Sequence, residues 1–499
     1  MRRRDIGYIT IDTLPNEVLL EIFKFYVCGD GGEEEWEGLV HVCRRWRDIA
    51  FAAPRSLDMR LVCTGGTPAR EMIDIWPALP IFIRVDRLFD EDVDNVVAAL
   101  ERNDHVCEIS IYDISYDALE TFVSVMQNPF PELTHLFLGM PSFPFSDADT
   151  APVLPESFMG GSAPRLQSFR LNTISFPAVP KLLSSARHLV HLTLRHIPPY
   201  RYFPPAEAMV DCLSTLTRLE RLEINFQFSL PPSRPVRAGR RPPPLRTILP
   251  FLTSLYFRSG VEHIEEFYTR IQAPLLDHLH LTFLNPATLD IRRISLFTGS
   301  TEPFDELDQA HILFDHDLVK VTLSPRNETT SVKSLKLSVR CRNSVWQLRS
   351  LIHSCDRFFP PLNELERFDV CKLEGRHSPL WADNAENARW LELLHLLATV
   401  EDLYLSEGLA LHVALALREF TRQGGTEVLH ALRNLFIEEF KPGLVQEAIV
   451  DFVAARQLSC RPVDIKCWVR ERRSRVRMVP PNLRDFLRNY LDIYEIYEI

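Results

Sequence analysis

Leu189-Val-His-Leu192-Thr-Leu194 and Leu219-Glu-Arg-Leu222-Glu-Ile224 share one pattern, with apolar residues at the first, fourth and sixth positions. Side chains alternate between the two faces of a strand, so the fourth and sixth residues point to the same side. Each occurrence therefore predicts a short strand with one buried face.

The same pattern occurs along most of the chain. The other occurrences are Val106-Ile109-Ile111, Leu133-Leu136-Leu138, Leu166-Phe169-Leu171, Leu252-Leu255-Phe257, Leu276-Leu279-Leu281, Val332-Leu335-Leu337, Leu365-Phe368-Val370, Val400-Leu403-Leu405 and Leu432-Leu435-Ile437. Measured between their middle apolar residues, neighbouring patterns are 23 to 35 residues apart. The exception is one gap of 56 residues between Leu279 and Leu335. Within that gap, Leu318 to Leu323 alternates like an extra strand.

Helical spacing of apolar residues fills several intervals between the predicted strands. Examples are Asp117 to Met126, Glu207 to Leu213 and Trp390 to Leu397. A strand and a helix in each interval predict an α/β fold, a leucine-rich-repeat solenoid (horseshoe) of long, irregular units. A doubly wound α/β domain is the alternative. The solenoid is preferred because no glycine-rich phosphate loop follows any predicted strand.

Proline stands two residues before the first apolar position in several repeats, as in Phe130-Pro-Glu-Leu133, Ala163-Pro-Arg-Leu166 and Ala273-Pro-Leu-Leu276. Proline blocks helix continuation, so these positions predict an extended start to the strand. The chain has 36 prolines and 18 glycines, the reverse of average usage. This ratio favours stiff connections between elements.

Composition limits the classes of function. The 499 residues are 46% apolar and 25% charged, with a net charge of −11, which indicates a globular protein and disfavours general coating of nucleic acid. No apolar segment suits a secretory signal or a membrane span, and none of the ten cysteines forms a CxxC pair. We expect a cytoplasmic and/or nuclear protein.

The N-terminal region predicts a separate helical unit. Residues 12 to 26 and 36 to 52 each have apolar residues at helical spacing, and an acidic loop lies between them. Pro15 suits the first turn of the first helix, since its missing N–H has no partner there. The second helix is predicted to run unbroken from Trp36 to Ala52.

The sequences LPNEVLLEIFKFY (14–26) and LVHVCRRWRDIA (39–50) resemble the F-box. Together with irregular leucine-rich repeats, they make the chain similar to fungal F-box-like proteins. The resemblance implies docking on the Skp-type linker of an SCF ubiquitin ligase and, through it, on a cullin scaffold. It implies these linker-binding residues: Leu14, Pro15, Leu19, Ile22, Phe23, Leu39, Val42, Cys43 and Trp46. Where the family ends in Leu-Trp, this chain has Ser56-Leu57-Asp58.

Polar residues that alternate with the buried ones face the concave surface of a leucine-rich repeat. On the predicted strands from Ser168 to Cys371, six of these 21 positions are Lys or Arg and two are acidic. The hypothesis is that they bind an acidic or phosphorylated protein segment; an ordinary solvated strand face is the alternative. The candidate substrate-binding residues are Arg170, Arg195, Arg221, Tyr256, Arg258, His278, His280 and Lys336.

Other chemistry finds little support. No motif typical of a nucleophile, a zinc site or a phosphate loop occurs, so no enzyme activity, metal or cofactor is expected. His278 and His280 form a His-x-His pair without an evident third ligand, and Asp315-His316-Asp317 reads as a turn. Tyr256 is the only stacking aromatic among the 21 positions, which disfavours RNA.

The predicted organisation is an F-box-like helical domain (1–60), a connecting N-terminal cap (61–100), irregular leucine-rich repeats (101–460), and a basic strip with a capping helix (461–499). The expected function is substrate recognition in an SCF-type ligase, in which partner subunits carry out ubiquitin transfer. The alternative is a protein-interaction scaffold without ligase coupling, given the altered end of the F-box.

Overall fold

The computed structural model describes most of the chain. The described residues are 11–27, 35–76, 79–141, 153–177, 179–197, 206–227, 246–284, 307–315, 318–325, 334–340, 348, 352, 365–372, 384–422, 428–438, 444–470 and 476–478. The chain divides into two compact units, Met1–Leu189 and Val190–Ile499. Each unit is α/β.

The first unit starts with helices and continues as alternating strands and helices. Its helices are α1 (Asn16–Val27), α2 (Glu35–Val42), α3 (Arg44–Ala52), α4 (Ala69–Ile75), α5 (Val93–Leu100), α6 (Tyr116–Val125) and α7 (Val179–Leu183). Its strands are β1 (Leu61–Cys63), β2 (Ile81–Val85), β3 (Val106–Ile111), β4 (His135–Gly139) and β5 (Ser168–Asn172). Each of these strands pairs in parallel with the next along the chain.

The second unit has a longer, mostly parallel sheet. Its helices are α8 (Ala206–Leu213), α9 (Val261–Tyr268), α10 (Asn384–His395), α11 (Glu407–Arg422) and α12 (Leu444–Leu458). Its strands are β6 (His191–Ile197), β7 (Arg221–Phe226), β8 (Thr247–Ile248), β9 (Ser254–Ser259), β10 (Ile271–Gln272), β11 (His278–Phe283), β12 (Gln309–Phe314), β13 (Leu318–Ser324), β14 (Ser334–Arg340), β15 (Arg367–Lys372), β16 (Asp402–Leu405), β17 (Asn434–Glu438), β18 (Asp464–Arg470) and β19 (Val476–Met478).

The spatial order of that sheet departs from chain order at one place. Strand pairing runs β6-β7-β9-β11-β14-β13-β12-β15-β16-β17-β18-β19, and β8 pairs with β10 in a separate small ladder. The hairpin β12–β13 therefore lies between β14 and β15. Strand β13 is antiparallel to both of its neighbours, whereas β12 is parallel to β15.

The repeated apolar pattern marks the core, as predicted. Leu192 and Leu222 are fully buried, and Leu194 and Ile224 are at most 3% exposed. All eleven predicted strands are present, and so is the extra strand at Leu318–Ser324. Helices α6, α8 and α10 occur in three of the predicted intervals. The α/β class is thus confirmed.

A turn precedes the strands where the sequence predicts an extended start. The backbone N–H of Leu133 donates to the Phe130 carbonyl at 3.3 Å, and Leu166 donates to Ala163 at 3.2 Å. Pro131 and Pro164 therefore occupy the second position of a four-residue turn, which the fixed φ of proline favours. The predicted extended start at the proline is wrong, because the proline lies in a turn. The strand begins two residues after the first apolar position, at His135 and Ser168.

Two regions predicted to lack repeats contain strands. The predicted connecting segment 61–100 includes β1 and β2, which lie in the same sheet as β3. The predicted basic strip includes β18 and β19. The predicted capping helix around Leu483 to Leu491 lies outside the described residues. So do residues 142–152 and 229–245, which belong to two proline-rich segments that interrupt the repeats, 140–163 and 229–246. The division at 60, 100 and 460 stays a prediction.

Candidate functional site

The N-terminal module consists of α1, α2 and α3. Cys43 separates α2 from α3, since its φ of −158° and ψ of 169° are extended. The predicted unbroken helix from Trp36 to Ala52 is therefore wrong: the chain turns at Cys43. Hydrophobic spacing continues across the break, which is why the pattern alone did not reveal it.

Aromatic contacts hold this module together. The rings of Phe23 and Trp46 lie 4.8 Å apart and join α1 to α3. Trp36, which is 1% exposed, packs edge-on against Trp76 after α4, and the Phe51 ring stacks on the same Trp76 at 4.9 Å. The module thus packs directly against the strand-and-helix part of its own unit.

Arg45 fixes the start of α1. Its guanidinium donates to the Leu14 carbonyl at 2.5 Å and to Asn16 Oδ1 at 2.8 Å. These hydrogen bonds tie α3 to the residues around Pro15. A basic residue at the start of α3 therefore positions the first motif.

The predicted linker-binding residues divide by burial. Those that pack inside the module are Leu19, Phe23 and Leu39. Those partly exposed are Leu14, Cys43 and Trp46, and those exposed are Pro15, Ile22 and Val42. Only the latter two groups are placed to touch a partner without a change of packing.

Helix α1 also exposes two apolar side chains that are absent from the predicted set, Val18 and Phe25, on the same side as the predicted Ile22. Val18 is 43% exposed, Ile22 40% and Phe25 81%. Their spacing of four and three residues puts them on one side of the helix. The helical period could have separated them from the buried Leu19 and Phe23. We call Val18, Ile22, Phe25 and Val42 the exposed apolar set.

A second candidate surface is the polar face of the second unit's sheet. Register aligns Glu223, Tyr256, His280 and Lys336 on neighbouring strands, and Arg221 aligns with Ser254 and His278. Arg170 lies on β5 of the first unit and is exposed. The other seven predicted substrate-binding residues all belong to the second unit.

Arg195 is already paired. Its Nε donates to Glu223 Oε1 at 2.6 Å and its Nη2 to Oε2 at 2.8 Å, a two-point ion pair. The hydrogen bond that Arg195 donates to Glu223 raises the pKa of Arg195. Since Glu223 is only 12% exposed, the pair fixes both side chains. Arg195 thus neutralises its neighbour instead of offering a free cation.

Other cations of this face are available. Among the described residues, Arg221 and Lys336 are exposed and make no ion pair. The hairpin adds Lys320, whose strand pairs with that of Lys336. Sequence spacing could not show this neighbour, because the hairpin is inserted between repeats. The result is a cationic surface formed by Arg221, Lys320 and Lys336.

The two histidines bind hydroxyl groups. His278 Nδ1 lies 3.1 Å from Ser334 Oγ, and His280 Nε2 lies 3.3 Å from Ser338 Oγ. The Tyr256 ring meets His280 edge-on at 4.5 Å. In the described part of the chain, no group of three His, Cys, Asp or Glu side chains could hold a metal ion. The arrangement gives His280 a polar partner without a metal.

Burial, with the nearby charges of Lys336 and Lys320, lowers the pKa of His280 to about 4. The unfolded chain has a histidine pKa near 6.5, so it binds more protons than the folded chain between these values. The stability that neutral His280 contributes is therefore fully present above pH 6.5 and is lost as the pH drops toward 4. We expect His280 to contribute about 3 kcal/mol to this loss.

The measurement is the free energy of unfolding of wild type and His280→Asn between pH 4 and 8. The difference between the two proteins should change by this amount across the window. His196 and His412, whose pKa values are also lowered by burial, are present in both proteins and cancel. A pH-independent difference would contradict the prediction.

An aromatic cluster occupies the same face near the end of the sheet. The rings of Tyr404 and Phe436 stack 4.0 Å apart at 4°, and Trp468 meets Tyr404 edge-on at 5.7 Å. Arg367 lies 4.0 Å over the Tyr404 ring and pairs with Asp369 at 3.2 Å. Cys371 completes this buried cluster. The polar face of the sheet therefore carries three aromatic side chains, Tyr404, Phe436 and Trp468, in addition to Tyr256.

No protein-family model matches the chain. No curated protein sequence matches it either. Among the described residues, no helix is long and apolar enough to span a membrane.

Proposed function

We propose that this chain is a substrate-recognition adaptor of an SCF-type cullin-RING ubiquitin ligase. The N-terminal module binds a Skp-type linker, and the repeats form a leucine-rich-repeat solenoid that binds a protein substrate. Partner subunits perform the transfer, so the chain acts by proximity: it holds the target beside the transferring enzyme and raises its effective concentration.

The exposed apolar set carries this proposal. Side chains such as Phe25, 81% exposed, cost free energy in water and mark interaction sites when they cluster. They lie on the segment that resembles the F-box. The packed pair Phe23 and Trp46 holds the same segment in a fixed shape, which lowers the entropic cost of docking.

The direct test mixes the full-length chain with a purified Skp-type linker and measures complex mass by light scattering after size-exclusion chromatography. A one-to-one complex is expected, and it should recruit the cullin scaffold. If no complex forms, the adaptor proposal fails and the scaffold without ligase coupling takes its place.

The cationic surface supports an acidic or phosphorylated protein substrate. Arg221 and Lys336 are exposed and make no ion pair among the described residues, and Glu223, on the same strand face, is held by Arg195. Exposed cations without counterions attract an anionic partner and speed its encounter. The net charge of −11 disfavours nucleic acid as a partner.

Replacing Arg221 and Lys336 by glutamine should weaken binding of a phosphoserine-containing peptide pool by about tenfold or more. The salt dependence of binding should fall with it. Fluorescence anisotropy at two ionic strengths measures both. This pair is preferred to a triple change that includes Arg195 and Arg258, because loss of Arg195 would leave the carboxylate of Glu223 unpaired.

Lys466→Gln is the matched control, since it removes one charge from the same face at β18, where the lysine is bonded to Asn434. It should bind the pool like wild type. Equal loss in the control, or no loss in the double variant, would contradict a local cationic site.

A further inference from the structure

Unsatisfied polar atoms meet at the carboxyl ends of β7 and β9. Within the described part of the chain, Asn225 Oδ1, Gln227 Oε1 and Arg258 Nε are buried and have no hydrogen-bond partner. Asn225 is 6% exposed. Folded proteins satisfy nearly all such atoms, so several in one place indicate that a partner group is missing.

These residues share one strand face. Asn225 is in register with Arg258 on the neighbouring strand. Gln227 follows Asn225 by two residues, so both amides project to the same side. The Gln227 backbone N–H donates to the Ile197 carbonyl at 3.1 Å, which fixes its position beside β6.

The chemistry of the three atoms restricts the ligand. Two are carbonyl oxygens and accept hydrogen bonds, whereas the guanidinium N–H donates. An anion would satisfy only Arg258 and would be repelled by both carbonyl oxygens. A ligand with N–H donors and a carbonyl acceptor satisfies all three, and the main chain of a polypeptide supplies that combination.

Spacing agrees with this choice. Residues two apart on a strand are separated by about 6.6 Å. Main-chain N–H groups on one side of an extended peptide recur at the same interval, with carbonyl groups beside them. An extended peptide that runs along β7 would therefore meet Asn225 and Gln227 with successive N–H groups.

We propose that Asn225, Gln227 and Arg258 bind the main chain of an extended substrate segment. Glu223, the nearest carboxylate on the strand, is held by Arg195 and does not compete for the peptide N–H groups. This inference rests on the proposed substrate-binding function and gives it a binding mode. Main-chain contacts would hold the segment and the cationic surface would select its side chains.

The test starts from peptides of neutral net charge, selected from a random display library on the full-length chain. Affinity for these peptides is measured with wild type, with Asn225→Leu/Gln227→Leu and with Gln227→Leu alone. We expect losses of about tenfold or more in the double variant. Its Tm should not fall below that of wild type, because apolar groups replace unsatisfied polar ones.

Gln227→Glu distinguishes main chain from anion, since it keeps the acceptor and adds a negative charge. Peptide binding within about threefold of wild type is expected; an anion site would instead lose binding. N-methylation of the peptide at two alternate residues should lower affinity for wild type about as much as the double variant does. It should add nothing further in that variant.

Three results would overturn the proposal: peptides whose binding ignores Asn225 and Gln227, N-methylation without effect, or single-stranded RNA that binds through these residues more tightly than peptide. Linker binding is measured on the same variants and should be unchanged. A failure of the peptide-binding mode is thereby separated from a failure of the adaptor proposal.

Discussion

The double variant Ile22→Asp/Val42→Asp is expected to lose about 100-fold or more of its affinity for a Skp-type linker. Both side chains are exposed in the free chain, at 40% and 58%, so the carboxylates stay hydrated until docking. Docking would then bury two unpaired charges, which is far costlier than the loss of the apolar contacts.

The expected measurement is a linker titration by calorimetry, with Tm within about 2 °C of wild type because neither residue supports the core. Phe89→Asp is the control, since Phe89 is 54% exposed and lies outside the module. Full affinity in the double variant would show that docking uses another face of the module.

Phe436→Ala is expected to lower the free energy of unfolding by about 3 to 5 kcal/mol. The ring is 5% exposed and stacks on Tyr404, and Lys466 lies 5.5 Å over it. Truncation would leave a cavity between Tyr404 and the last strands and remove a stacking contact. Urea denaturation measures the change.

Phe251→Ala serves as its comparison, because Phe251 is 55% exposed in the same unit. Its effect should stay within about 0.5 kcal/mol. If Phe436→Ala cost no more than this, the aromatic cluster would have no role in stability, and its burial would need another explanation.

Sequence periodicity predicted the strands well for a physical reason. Each strand buries two or three alternate leucine-like side chains, and the same need recurs in every repeat. The turn before the strand was missed because proline fits both an extended start and the second position of a turn. The hydrogen bond from Leu133 to Phe130 decides between them.

Positions on the polar face were predictable, but their chemistry was not. Alternation placed Arg195 and Glu223 on the same side, yet only the strand order brings them within 2.6 Å. Lys320 is a second example, because it neighbours Lys336 only through the pairing of the hairpin strand β13 with β14. Ion pairs and unsatisfied atoms depend on cross-strand register, which one sequence does not contain.

In the helical module, the sequence identified the residues but not which of them are buried. Its residues were identified by motif, but the motif does not distinguish Leu19, which is buried, from Ile22, which is exposed. The break at Cys43 had no proline or glycine to signal it. Burial in a small helical module follows from how its helices meet, and Trp36 and Phe51 meet Trp76, a residue outside the motif.

The hairpin β12–β13 limits how such a sheet can gain or lose segments during evolution. Strand β14 is antiparallel to β13, and β12 is parallel to β15, so β14 and β15 run in the same direction. Removal of both hairpin strands would allow them to pair directly as parallel neighbours. Removal of β12 alone would leave β13 between β14 and β15 and antiparallel to both, so the complete hairpin is what keeps the contact with β15 parallel.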